Sequence, residues 1–140
     1  MTTCPRRTAS RSFYESIEAG PYAAVGGLYW TKGEAGQPMV YGNPAVMPRN
    51  FVPQVPMPAA VQPCNGLGMG FTLFRLSMFK DPKLTKPWFK TQQEGVPGQG
   101  WRTMTQDLYF FNNARGLGYT FASDNRVLVG HLDPGANVVW

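Results

Sequence analysis

Charge is scarce in these 140 residues: Asp, Glu, Lys and Arg together make 15%, beside one histidine and two cysteines. One histidine and two cysteines cannot supply the four soft ligands of a structural zinc site. No apolar run approaches the length of a membrane-spanning helix, so none is expected to cross a bilayer. Uninterrupted helix is scarce too, because 16 Gly and 13 Pro, 29 of 140 residues, break nearly every window of twelve and exclude long helices on that ground. What is present is apolar: 43% hydrophobic and 14% aromatic residues, too much to leave unburied in a disordered chain. These counts point to one β-rich, loop-rich soluble domain with no cofactor expected.

The formal charge of +5 is unevenly placed. Arg6, Arg7 and Arg11 stand in residues 1–12 with no acid among them. Arg75, Lys80, Lys83, Lys86 and Lys90 face only Asp81 in residues 75–90. Two basic patches on a mildly acidic body suit a polyanion or an acidic protein surface, or are solvated faces. The basic start has no apolar stretch behind it, so a cytoplasmically made protein is expected. Two reduced thiols are the default, with a Cys4–Cys64 disulfide left open.

Along the chain, residues 1–20 read as an extended basic arm. It holds two helical turns over Ser12–Ala19, with Ser12 as N-cap and Phe13 and Ile17 on one face. Residues 21–140 read as a single β domain of the sandwich or jelly-roll kind, an all-β class. Tyr22–Trp30 is an apolar strand with Pro38–Tyr41 as its partner. Residues 38–63 carry seven of the 13 prolines, with Phe51, Val52, Met57 and other apolar residues between them. Proline cannot donate to a ladder, so this segment is expected to lie as an extended apolar strap on a surface. Phe71–Phe79 is a strand apolar on both faces, and Glu94–Gly100 a Gly/Pro loop. Thr103–Phe111 and Leu117–Ala122 form a hairpin across Asn112–Gly116, and Ser123-Asp124-Asn125 turns into Val127–Leu132.

Catalytic chemistry finds no footing in this pattern. His131 is the one histidine that could activate Cys4 or Cys64, and it reads as structural. Gly66-Leu-Gly-Met-Gly lacks the spacing of a phosphate loop and leads into a strand. Trp88, Trp101 and Tyr109 could form a sugar-stacking platform.

Two resemblances carry function. Phe110-Phe-Asn-Asn-Ala-Arg-Gly-Leu-Gly-Tyr119 resembles the W-F-N-x-x-K-G-F-G-F stretch of cold-shock domains, and Val127–Leu132 is similar to the V-F-V-H-F that follows it. That resemblance implies single-stranded nucleic-acid binding through Phe110, Arg115, Tyr119 and His131. The basic arm, the Pro-rich strap and the strand series together resemble, in architecture, the cementing or decoration proteins of tailed-phage capsids. This second resemblance implies a non-catalytic protein on the outer surface of the virion. It would be added as an oligomer, trimers being common, with the major capsid protein and copies of itself as partners and no membrane. Arg6, Arg7 and Arg11 would meet shell carboxylates, and Phe51, Val52, Met57 and Trp88 would be buried against neighbours. An arm of this composition cannot order itself, so a partner in the assembly is expected to hold it.

Overall fold

Ala9, Phe13 and Ile17 recur at four-residue spacing, which lines one face of a helix. In the computed structural model, which describes residues 5–31 and 36–139, helix α1 runs over Pro5–Ala19. The extended arm and the start at Ser12 are thereby corrected for residues 5–12. Residues 6–19 contain neither Gly nor Pro, so the exclusion of long helices did not reach this stretch. Gly20-Pro21 then ends the helix.

Strands β1 (Tyr22–Leu28), β2 (Trp30–Thr31), β3 (Gln37–Pro38), β4 (Val40–Tyr41), β5 (Val61–Cys64), β6 (Gly66–Leu67) and β7 (Thr72–Phe74) follow. A 3-10 turn over Leu76–Lys80 cuts short the longer strand expected there. A hairpin of β8 (Gln92–Val96) and β9 (Gly100–Met104) forms where a Gly/Pro loop was expected. Helix α2 (Gln106–Gly116), β10 (Thr120–Leu128), β11 (Leu132–Asp133) and β12 (Val138–Val139) complete the chain. The β-rich character agrees with the sequence, although two α-helices accompany the strands.

The central sheet has the order β5-β10-β1-β7, with β1 and β10 parallel and the outer strands antiparallel. Successive side chains of β1 point to opposite faces. Val25 packs with Phe13, Ile17 and Val127 under α1. Ala24 packs on the other side with Phe110, Phe111 and Phe121 under α2. A sandwich would lay a second sheet on one of these faces; here a helix covers each.

Helix α2 replaces the hairpin expected across Asn112–Gly116. Its apolar residues Phe110, Phe111 and Ala114 are all fully buried. The Asn/Gly string that suggested a turn is instead the last part of the helix and its cap. Gly118 takes φ +95° and donates its N–H to the Arg115 carbonyl at 3.0 Å, while Tyr119 N–H reaches the Ala114 carbonyl at 3.2 Å. This pair of bonds satisfies carbonyls that a helix end would otherwise leave open.

Strand β10 runs through Ser123-Asp124-Asn125, where a turn was expected. These three polar residues are buried and bonded rather than exposed. Asn125 Nδ2 donates to the Met57 carbonyl and to Gln62 Oε1, both at 2.9 Å. Gln62 Nε2 in turn donates to Gln54 Oε1 at 3.0 Å, so the sheet grips the Pro-rich segment through amides.

Candidate functional site

Parallel neighbours end on the same side of a sheet, and ligands of open sheets collect beyond those carboxyl ends. Past β1 stand Tyr29 and Trp30; past β10 stands His131. The imidazole meets the Tyr29 ring edge-on with centroids 5.8 Å apart, and its Nδ1 lies 3.2 Å from the Trp30 carbonyl. A carbonyl only accepts, so Nδ1 carries the proton in this arrangement. Gly68-Met69-Gly70 wraps the same tyrosine, with Gly70 N–H donating to Tyr29 Oη at 2.9 Å. A Cβ on residue 68 would stand 2.3 Å from Tyr29 Oη, so the close approach requires glycine.

Helix α2 aims its first turn at this corner. Asp107 Oδ1 accepts from Thr105 Oγ1 and, at 3.0 Å, from Leu108 N–H. Its Oδ2 has no partner among the described residues. The carboxylate acts on both nearby phenols. Burial pushes Tyr41 up to about 12, with Asp107 and then Tyr29 adding to the rise. Burial also raises Tyr29, where the Gly70 bond opposes and Asp107 adds.

Beside Asp107 lies a cavity of about 390 Å³ lined by Met69, Phe89, Thr91, Thr105, Gln106 and Asp107. The Phe89 ring is stacked on buried Phe110 at 5.0 Å and is still 43% exposed, so it offers surface to the solvent side. The site thus joins a fixed carboxylate, a backed aromatic ring, two hydroxyls and an amide. Among the described residues no three His, Cys, Asp or Glu side chains gather into a metal-binding group.

The chain matches no known protein family, no curated protein and no solved structure.

The residues singled out from sequence are scattered over the fold. Arg6 and Arg7 stand at the start of α1, with side chains outside the described residues, as is Cys4. Cys64 is a free, fully buried thiol that burial pushes up, so it is a poor nucleophile. Arg11 is exposed and pairs with Glu15 at 2.8 Å along the helix. Val52 and Met57 are exposed, whereas Phe51 is half-buried against the core. Trp88 packs edge-on to Phe79 at 4.9 Å and donates Nε1–H to the Leu84 carbonyl, so most of it serves the fold. Trp101 is exposed on β9 and Tyr109 half-buried on α2, and neither lines the cavity beside Asp107.

Phe110 has no exposed surface on which a base could stack. Arg115 donates to the Tyr119 carbonyl at 3.0 Å, and Tyr119 Oη donates to Asp81 at 2.6 Å. That phenol–carboxylate bond raises Tyr119 and lowers Asp81. Of the four residues given by the cold-shock resemblance, His131 alone stands at the carboxyl end of the parallel pair.

Sequence reasoning missed Asp107, Phe89 and Tyr29. A signal did exist for the first. Thr105 and Asp107 precede Phe110, Phe111 and Ala114, and Thr followed by Asp ahead of apolar residues at helical spacing marks a helix start.

Proposed function

We propose that the chain binds a small polyhydroxylated molecule of sugar type in the cleft beside the first turn of α2. The observation that carries this reading is the unpartnered oxygen of Asp107 in the same cavity as the solvent-facing Phe89 ring. A sugar presents an apolar C–H face, which an aromatic ring covers, and a rim of hydroxyls. Those hydroxyls would donate to Asp107 and exchange bonds with Thr91, Thr105 and Gln106.

Titration with a panel of neutral monosaccharides, followed by backbone amide shifts, tests the reading. Shifts are expected at Phe89, Thr91 and Gln106. Asp107→Asn should weaken binding at least about 10-fold, a hydrogen bond to a charged group being worth about 1.5–3 kcal/mol. Phe89→Ala should weaken it at a smaller cost in stability than a buried aromatic would show, since the ring is 43% exposed. If no sugar moves these amides, or if Asp107→Asn binds as the parent does, the reading fails.

A different observation supports the cementing-protein reading. Met47 is 80% and Val55 87% exposed on a segment anchored from beneath by Gln54 and Gln62. Apolar side chains held outward on a pinned loop suit docking to a larger protein surface such as a capsid shell. Met47→Ser combined with Val55→Ser should lower occupancy on empty shells and leave thermal unfolding unchanged. Equal occupancy for variant and parent would sink this reading.

A further inference from the structure

The two edges of the central sheet are treated differently. On the β5 side, Pro63 has no N–H to offer and its carbonyl accepts from Gln54 Nε2 at 3.1 Å, so the Pro-rich segment closes that edge. On the β7 side, residues 71, 73 and 75 turn their backbone groups toward β1. Gly27 N–H donates to the Phe71 carbonyl at 3.0 Å, Arg75 N–H to the Ala23 carbonyl at 2.8 Å, and Leu73 pairs with Val25. The alternation of an antiparallel ladder then turns the N–H and C=O of Thr72 and Phe74 outward. No partner meets them among the described residues.

Natural edges are blunted by shortness, charge, proline or a bulge that discourages pairing. β7 is short, three residues, but Gly70–Phe74 carries no charge, proline or bulge. Its side chains instead suit the interior of a covered sheet: Phe74 stacks with Phe111 under α2, and Phe71 meets Phe13 of α1 at 5.0 Å. Leu73 is nonetheless 37% and Phe71 39% exposed. The next residue, Arg75, does not guard the edge, because it donates to the carbonyls of Ile17 and Tyr22 and pairs with Glu18.

We propose that β7 is the seam of a homodimer, pairing antiparallel with β7 of a second copy across a two-fold axis at Leu73. The outward groups are self-complementary in that register. Thr72 of each copy exchanges both backbone bonds with Phe74 of the other, so all four unpaired donors and acceptors are satisfied. Leu73 meets its own counterpart between the bonded pairs, and the exposed fringe of Phe71 is covered. The four strands of each copy then become one continuous sheet.

Sedimentation of the full chain across a concentration series should show a species of twice the monomer mass. Leu73→Lys sets two ammonium groups directly opposite each other and should return the chain to monomer. Thr72→Pro deletes an outward donor and should do the same. In the parent protein, exchange of the Thr72 and Phe74 amides should slow by an order of magnitude or more as the dimer fills. This last measurement decides the matter even where a variant fails to fold. A parent that stays monomeric, a dimer that survives both substitutions, or edge amides indifferent to concentration would each overturn the proposal.

Discussion

Phe110→Ala is expected to destabilise the chain by about 3–5 kcal/mol in denaturant unfolding, the range for emptying a buried aromatic site. Phe110 is fully buried, stacked on Phe79 at 5.5 Å and on Phe89 at 5.0 Å, with Phe74 and Phe111 edge-on. Rigid rings fill a void poorly, so little of the loss can be recovered by relaxation. Against a typical total of about 5–15 kcal/mol, the change consumes a large share of stability. The substitution also removes the support of Phe89, so sugar binding should fall together with stability. Phe89→Ala should lose binding with a clearly smaller loss of stability, because its ring is partly exposed. A base-stacking surface residue at position 110 would behave in the opposite way, weakening nucleic-acid binding and sparing the fold. A stability loss well under 1 kcal/mol would contradict the burial described here.

The apolar periodicity of the chain was legible where it was local. Tyr22–Trp30 reads as a strand because it is apolar nearly throughout, and Phe71–Phe79 because both its faces are; the structure keeps Tyr22–Leu28 of the first and Thr72–Phe74 of the second. The polar exceptions misled. Asn112–Gly116 has the composition of a turn, but Phe110, Phe111 and Ala114 on the same stretch bury against the sheet, and tertiary packing outweighs local preference. Ser123-Asp124-Asn125 also has turn composition. Its bonds go to Ser16, Gln62, Met57 and Arg126, partners as far as 108 residues away. No local pattern announces such a pairing. The candidate site was illegible for the same reason: Met69, Phe89 and Asp107 come from three separate segments that only the tertiary fold brings to one cavity.

Arg126→Met tests the charged cluster that holds the most remote of those pairings, Ser16 with Asp124. Asp124 is fully buried, and Arg126 grips it with two bonds of 2.8 Å, from Nε and Nη2. Ser16 of α1 donates to the same carboxylate at 2.9 Å and accepts from Arg126 Nη2, so one charge pair fastens the helix to the sheet. Methionine keeps the stem and removes the charge. The expected loss is about 3 kcal/mol, the low end for breaking a buried pair, because the arginine is 41% exposed and already shared with water. Asp124→Asn should cost less, since an exposed guanidinium can turn to solvent whereas a stranded carboxylate cannot. The pH dependence separates this cause from simple packing. Burial pushes Asp124 up, but the bonds from Arg126 and Ser16 outweigh it and hold the carboxyl below its usual range. A depressed carboxyl stabilises the parent above the unfolded value of about 3.9 and loses that contribution as pH falls through the folded value. Without Arg126, burial dominates and raises the carboxyl, so the variant is favoured on the acid side and penalised as pH rises. The gap between parent and variant should therefore be widest at neutral pH and narrow on acidification. A gap of equal size at both ends of the pH range would mean that Arg126 acts through its stem and not through its charge.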